Sequence, residues 1–160
     1  MDVEAIFALQ FSISLVVWGS LAYWLLAPWL EKKSSNEALF FLTLPHAFRH
    51  IGMVFLVPGV VARPLPESFG APAAYGDLLT GVLAFLALVA LRNSWSLAGA
   101  AVWLFSIVGT IDLMNALRQA DAVPDFGAAW YIPTMLVPLL LVTQFMIFLR
   151  LFRRAAKRET

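Results

Sequence analysis

Six polar side chains stand inside long apolar stretches of this sequence: His46, Arg49 and His50 in one, Asp112 and Asn115 in another, and Gln144 in a third. Two imidazoles, a guanidinium, a carboxylate and two amides can bind a polar ligand, relay a proton or hold a metal. If the stretches are α-helical, each residue advances about 100°, and His46, Arg49, His50 and Met53 share an arc of about 100°. Phe105, Val108, Gly109, Asp112 and Asn115 share a similar face. Arg49 lies nine residues before Pro58 and Asp112 six before Arg118, about 13 Å and about 9 Å from the respective helix ends. An Arg49–Asp112 pair between two helices follows from that match in depth.

Three nitrogenous groups would then face one carboxylate, with more donors than Asp112 can accept. A water, an anion or a carbonyl-bearing ligand takes the surplus. The expected ligand-binding set is therefore His46, Arg49, His50, Asp112 and Asn115, with Phe105, Met53, Trp103 and Trp18 as apolar walls. The bland alternative is that Arg49 and Asp112 only lock two helices together, since either ion is costly alone and tolerable when paired.

Other chemistries fit less well. His46 and His50, at i and i+4, have chelating spacing with Asp112 as a third ligand, but Arg49 beside them opposes a divalent cation. Haem needs ligands on opposite sides of the iron, which two side chains from one face cannot supply; a single histidine with Met53 is the remaining haem arrangement. Glu-x-x-His pairs, the G-x-S-x-G elbow and phosphate-binding glycine patterns are all absent. No catalytic residue and no metal ligand is assigned, and whether the chain is an enzyme stays open, with the residues leaning against it.

The elements that must position these groups follow from composition. The chain has 160 residues, 61% of them hydrophobic and only 13% charged, with a net charge of +1 and no cysteine. Soluble domains average about 45–50% apolar and about 25% charged residues. A mean hydropathy of +0.82 leaves too little polar surface to cover a soluble core. The charge balance argues against nucleic-acid binding, and the missing cysteines remove disulfides, thiolate chemistry and Cys-ligated metals. An all-α integral membrane protein is expected, as a single compact domain over 1–160 with the lipid bilayer as its surroundings.

Five stretches reach the roughly 20 residues a helical span needs: about 5–27, 36–58, 72–91, 96–118 and 130–151. Pro28 is expected to end the first. Ser34, Ser35 and Asn36 offer an N-cap for the second, with Glu37 in its first turn. Asp77 falls near the start of the third span and is counted with the outer loop. Pro45 and Pro138 should bend their helices by leaving the carbonyls of Phe41 and Thr134 without a donor. The first span is expected to remain a helix, since Asp2 and Glu4 stand where a secretory leader is basic.

Basic residues orient the bundle. With the C-terminus inside, Lys32, Lys33, Arg92, Arg150, Arg153, Arg154, Lys157 and Arg158 are inside and only Arg63 and Arg118 are outside. An N-out, C-in topology in a bacterial inner membrane, C-terminus cytoplasmic, is the consistent expectation. The basic tail serves as topology determinant and contact for anionic lipid.

Phe48-Arg49-x-x-Gly52, the proline-containing loop after it, Gly76-Asp77 and the Ala/Leu-rich helices beyond resemble DoxX-like small membrane proteins. The resemblance implies a small helical membrane protein and carries no activity or site residue. The expected function is binding or transport of a small polar or quinone-like ligand within the membrane. An accessory subunit of a homo-oligomer or hetero-complex, and a haem- or metal-binding redox subunit, are the alternatives.

Overall fold

The computed structural model describes residues 1–159, with side chains for all of these but 120, 121 and 157–159. Lys157 and Arg158 of the basic tail, and Asp121, thus lie outside the described side chains. Among the described residues there is no strand, and five helices are long and apolar enough to cross a membrane: α1 Val3–Glu31, α2 Ser35–Leu56, α3 Gly70–Arg92, α4 Ala98–Leu117 and α5 Gly127–Ala156.

The prolines act differently from expectation. Pro28 does not stop α1. The helix widens into one π turn at Ala22–Leu26, where the Ala27 N–H reaches back to the Ala22 carbonyl, and continues to Glu31. Pro28 then occupies a first-turn position whose N–H would have had no helical partner. α5 repeats the device: the Val137 N–H bonds to the Ile132 carbonyl across a π turn, Ile132–Leu136, just before Pro138. There the Thr134 hydroxyl donates to the Trp130 carbonyl at 2.7 Å.

Pro45 has the larger effect. α2 starts on a capping box, with Ser34 and Glu37 each accepting the other's backbone N–H, and is α-helical to Thr43. From Leu44 to Leu56 it is a 3₁₀-helix of 13 residues, where runs beyond about four are uncommon. The period changes from 3.6 to 3.0 residues per turn. His46, Arg49, Gly52 and Phe55, spaced by threes, are the four buried residues of this segment.

Two cores result. At the end carrying Lys32 and Arg92, the basic end, Leu30, Leu39 and Leu42 pack without exposure against Ala84, Ala87, Val102 and Ile147. At the opposite, loop end, Phe55, Phe69 and Phe126 form an aromatic cluster with centroids 5.4–5.9 Å apart. The loops there are tied together: Ala62 N–H donates to the Asp125 carbonyl, Ala128 N–H to the Val60 carbonyl, and Arg63 pairs with Asp125 at 2.7 Å. Gly127 makes this possible, with φ +51° and the Val60 carbonyl 2.6 Å from where a Cβ would stand. α3 packs most extensively on the 3₁₀ half of α2 and on α4. α1 buries only 6% of its most apolar window. Two indoles hold it to α5: Trp18 Nε1–H donates to the Met135 carbonyl at 3.1 Å, and Trp130 Nε1–H to Gln10 at 2.6 Å.

Candidate functional site

The 3₁₀ face of α2 aims Arg49 between α3 and α4, where the guanidinium is 1% exposed. Its Nε–H donates to Asp77 Oδ1 at 2.7 Å, Nη1–H to the Gly109 carbonyl at 3.1 Å, and Nη2–H to Asp112 Oδ2. Three of its five N–H groups therefore meet protein acceptors on two helices. The expected Arg49–Asp112 pair is present, and a second carboxyl group completes it.

Asp77 is not in the outer loop with which its place in the sequence groups it. It stands seven residues after Gly70, two turns inside α3 rather than at its mouth. The glycines around it offered a signal. A Cβ on Gly52 would collide with the Asp77 carboxylate, and one on Gly76 with that of Asp112. At Gly109 a Cβ would come within 2.7 Å of Thr80 Cγ2 and 3.0 Å of Arg49 Nη1. Three helices thus each lack a side chain where the triad must fit.

The triad forms the floor of a cavity of about 310 Å³. Phe7, Phe55, Phe69 and Phe126 wall it, with Leu113, Val123 and Ile132; Glu4 and Gln119 also contribute to its lining. Asp77 and Asp112 are 15% and 13% exposed, against 1% for Arg49, so the surface shown to the cavity floor is chiefly carboxylate. Oδ2 of Asp77 and Oδ1 of Asp112 rest against Gly52 and Gly76. Neither receives a side-chain or backbone hydrogen bond among the described residues.

The other candidates separate from this site. His50 is exposed, its Nδ1 3.0 Å from the Ala47 carbonyl. At 120° per residue it is turned 120° from both Arg49 and His46, which corrects the single His–Arg–His face expected from α-helical spacing. The chelating histidine pair is lost for the same reason. Asn115 is exposed as well, one α-helical turn beyond Asp112, and its backbone carbonyl meets Gln119 at 3.5 Å. The cluster is therefore not the buried His/Arg/Asp/Asn group expected: His50 and Asn115 lie outside it. The four expected walls do not line the cavity either. Phe105 packs on His46 at 5.4 Å, and Trp103 packs on Phe148 and Phe152.

His46 is fully buried one 3₁₀ turn from Arg49, toward the basic end. Its Nε2 lies 3.0 Å from Thr143 Oγ1, which is also within hydrogen-bond distance of the Leu139 and Leu140 carbonyls. Its Nδ1 is buried with no hydrogen-bond partner among the described residues. Thr43 Oγ1, Ser106 Oγ and both amide atoms of Gln144 are also buried without a protein partner among the described residues. Gln144, the third polar position in the sequence, is thus in the interior on α5. Groups of this kind are where internal water or a ligand's polar atoms are held. Among the described residues, no three His, Asp or Glu side chains converge for a metal ion.

Residues 6–152 match the model of a family described as a domain of unknown function, DUF8737, and the chain belongs to that family. No curated protein and no solved structure matches the chain.

Proposed function

We propose that this chain is an integral membrane protein that binds a small amphiphile, with the ligand's apolar body among Phe7, Phe55, Phe69 and Phe126 and its polar head on Asp77 and Asp112. The observation that carries this reading is a cavity of about 310 Å³ with aromatic walls and a charged floor. Apolar walls with a few convergent polar groups characterise small-ligand sites. Two carboxyl groups to one guanidinium make the floor rich in acceptors. The favoured head is consequently a hydrogen-bond donor, such as an amine, ammonium or alcohol. A quinone offers only acceptors, and Arg49 has spent three N–H groups on the protein. An N-out, C-in topology in a bacterial inner membrane, supported by eight basic residues inside against two outside, places the cavity in the outer half.

Calorimetric titration of the chain in lipid nanodiscs, with octylamine and a short-tailed quinone as probes, tests the reading. Saturable octylamine binding that Asp112→Asn abolishes supports it, because Arg49 keeps Asp77 as a partner and the fold survives. Quinone binding unaffected by Asp112→Asn, with octylamine only partitioning into lipid, would overturn the donor-head assignment.

A second reading has one observation in its favour. α1 is scarcely buried in the monomer, and an accessory subunit would cover it with a partner helix. In that case Arg49, Asp77 and Asp112 only fasten α2, α3 and α4 together. Heteromeric assemblies released from the native membrane, with no small ligand bound, would favour it.

A further inference from the structure

A second recess, of about 570 Å³, lies between α1 and α5 at the basic end, away from the aromatic cavity. Gly19 and Ala22 form part of its α1 side, and a Cβ on Gly19 would meet no atom within 4 Å, so the recess is open there. Along α5 it runs from Leu141 to Arg153, about 18 Å at 1.5 Å per residue. One leaflet of a bilayer has a hydrocarbon depth of about 15 Å. The recess is therefore one leaflet long. Its lining is apolar until the last turns, where Arg150 and Arg153 stand with Glu31 as the only acidic neighbour in the lining.

We infer that this recess is a binding site for an anionic phospholipid, with an acyl chain laid along Gly19 and Ala22 and the headgroup phosphate held by Arg150 and Arg153. Length, apolarity and the charged end each match a part of that molecule. Two guanidiniums against one carboxylate leave a positive excess for a phosphate, and basic pockets between helices at a membrane surface recognise such headgroups. The site also gives the otherwise thinly packed α1 a partner along its second half, from Leu15 to Glu31. The inference rests on the chain spanning a bilayer and is independent of what the aromatic cavity binds.

The test is reconstitution of the full chain into vesicles of equal parts phosphatidylcholine and phosphatidylglycerol, followed by native mass spectrometry of the lipids it retains. Preferential retention of one phosphatidylglycerol is expected. Replacing Arg150→Gln and Arg153→Gln should weaken retention about fivefold each and about thirtyfold together. Gly19→Leu, whose Cβ would meet no atom within 4 Å, should lower retention of lipid while Arg92→Gln leaves it unchanged. Equal retention of both lipids, or retention indifferent to the arginine pair and to Gly19→Leu, overturns the site and leaves the octylamine result standing. A chain that does not enter the vesicles overturns both readings.

Discussion

The two ends of this bundle are built on opposite rules. At the basic end, Leu39 and Leu42 on α2 meet the alanines of α3 in a core whose central side chains have no exposure. At the loop end the same two helices diverge in chemistry: α2 presents Arg49 and Gly52, α3 presents Gly76 and Asp77, and phenylalanines surround a cavity instead of filling it. The switch occurs within α2, at Pro45, where α-helix gives way to 3₁₀-helix. Close packing needs only complementary apolar shapes. Holding three charged groups needs glycines at three contact points and a helix wound so that every third residue faces inward.

That contrast can be broken from either side. The largest effect is expected for Arg49→Leu, which strands two carboxyl groups and should cost about 3–5 kcal/mol of stability. Steric-trapping measurements in bicelles would show it, and adding Asp77→Asn with Asp112→Asn should recover most of the loss. If the single variant is as stable as wild type, the triad is not what joins α2, α3 and α4. Next, Leu39→Ala should cost about 3 kcal/mol by opening a void in the leucine–alanine core, yet leave octylamine affinity unchanged; a matching fall in affinity would mean that the two ends are not separate. Gly76→Ala should cost about 2 kcal/mol, because the new methyl group displaces the Asp112 carboxylate, and it should weaken binding as well. Gly99→Ala is the control, since a Cβ there meets nothing. The smallest effect belongs to Phe69→Leu, which removes aromatic contacts with Phe55 and Phe126 and should cost about 1 kcal/mol. Its signature is a weaker grip on the probe with little change in unfolding; the reverse pattern would make the aromatic cluster mere packing.

The five helices were legible because each carries a long, predominantly apolar run, and their ends differ from expectation by a few residues. Pro28 was misleading, since a π turn moves the proline to a position where its missing N–H has no consequence. The pairing of Arg49 with Asp112 was legible from the faces the two residues share and from their similar depth. The face of α2 was not, because a 100° rotation per residue is the wrong rule for a segment that winds at 120°. His46, Arg49, Gly52 and Phe55 at intervals of three carried that information, but the same residues also satisfy part of an α-helical pattern. Asp77 was hidden by its position: two turns into α3, it reads as a residue of the helix mouth until Arg49 is seen to need a second acceptor. The walls were missed because Phe7, Phe69 and Phe126 come from three distant segments that only the tertiary fold brings together.

The central claim is that the aromatic cavity holds a small amphiphile on Asp77 and Asp112. Native mass spectrometry of the protein released gently from its own membrane, beside the Asp112→Asn variant, tests it most directly. A small organic mass bearing an amine, ammonium or hydroxyl group, present on wild type and lost from the variant, is the predicted result. A wild-type chain of bare polypeptide mass, or a bound mass that the Asp112→Asn variant keeps, would contradict it.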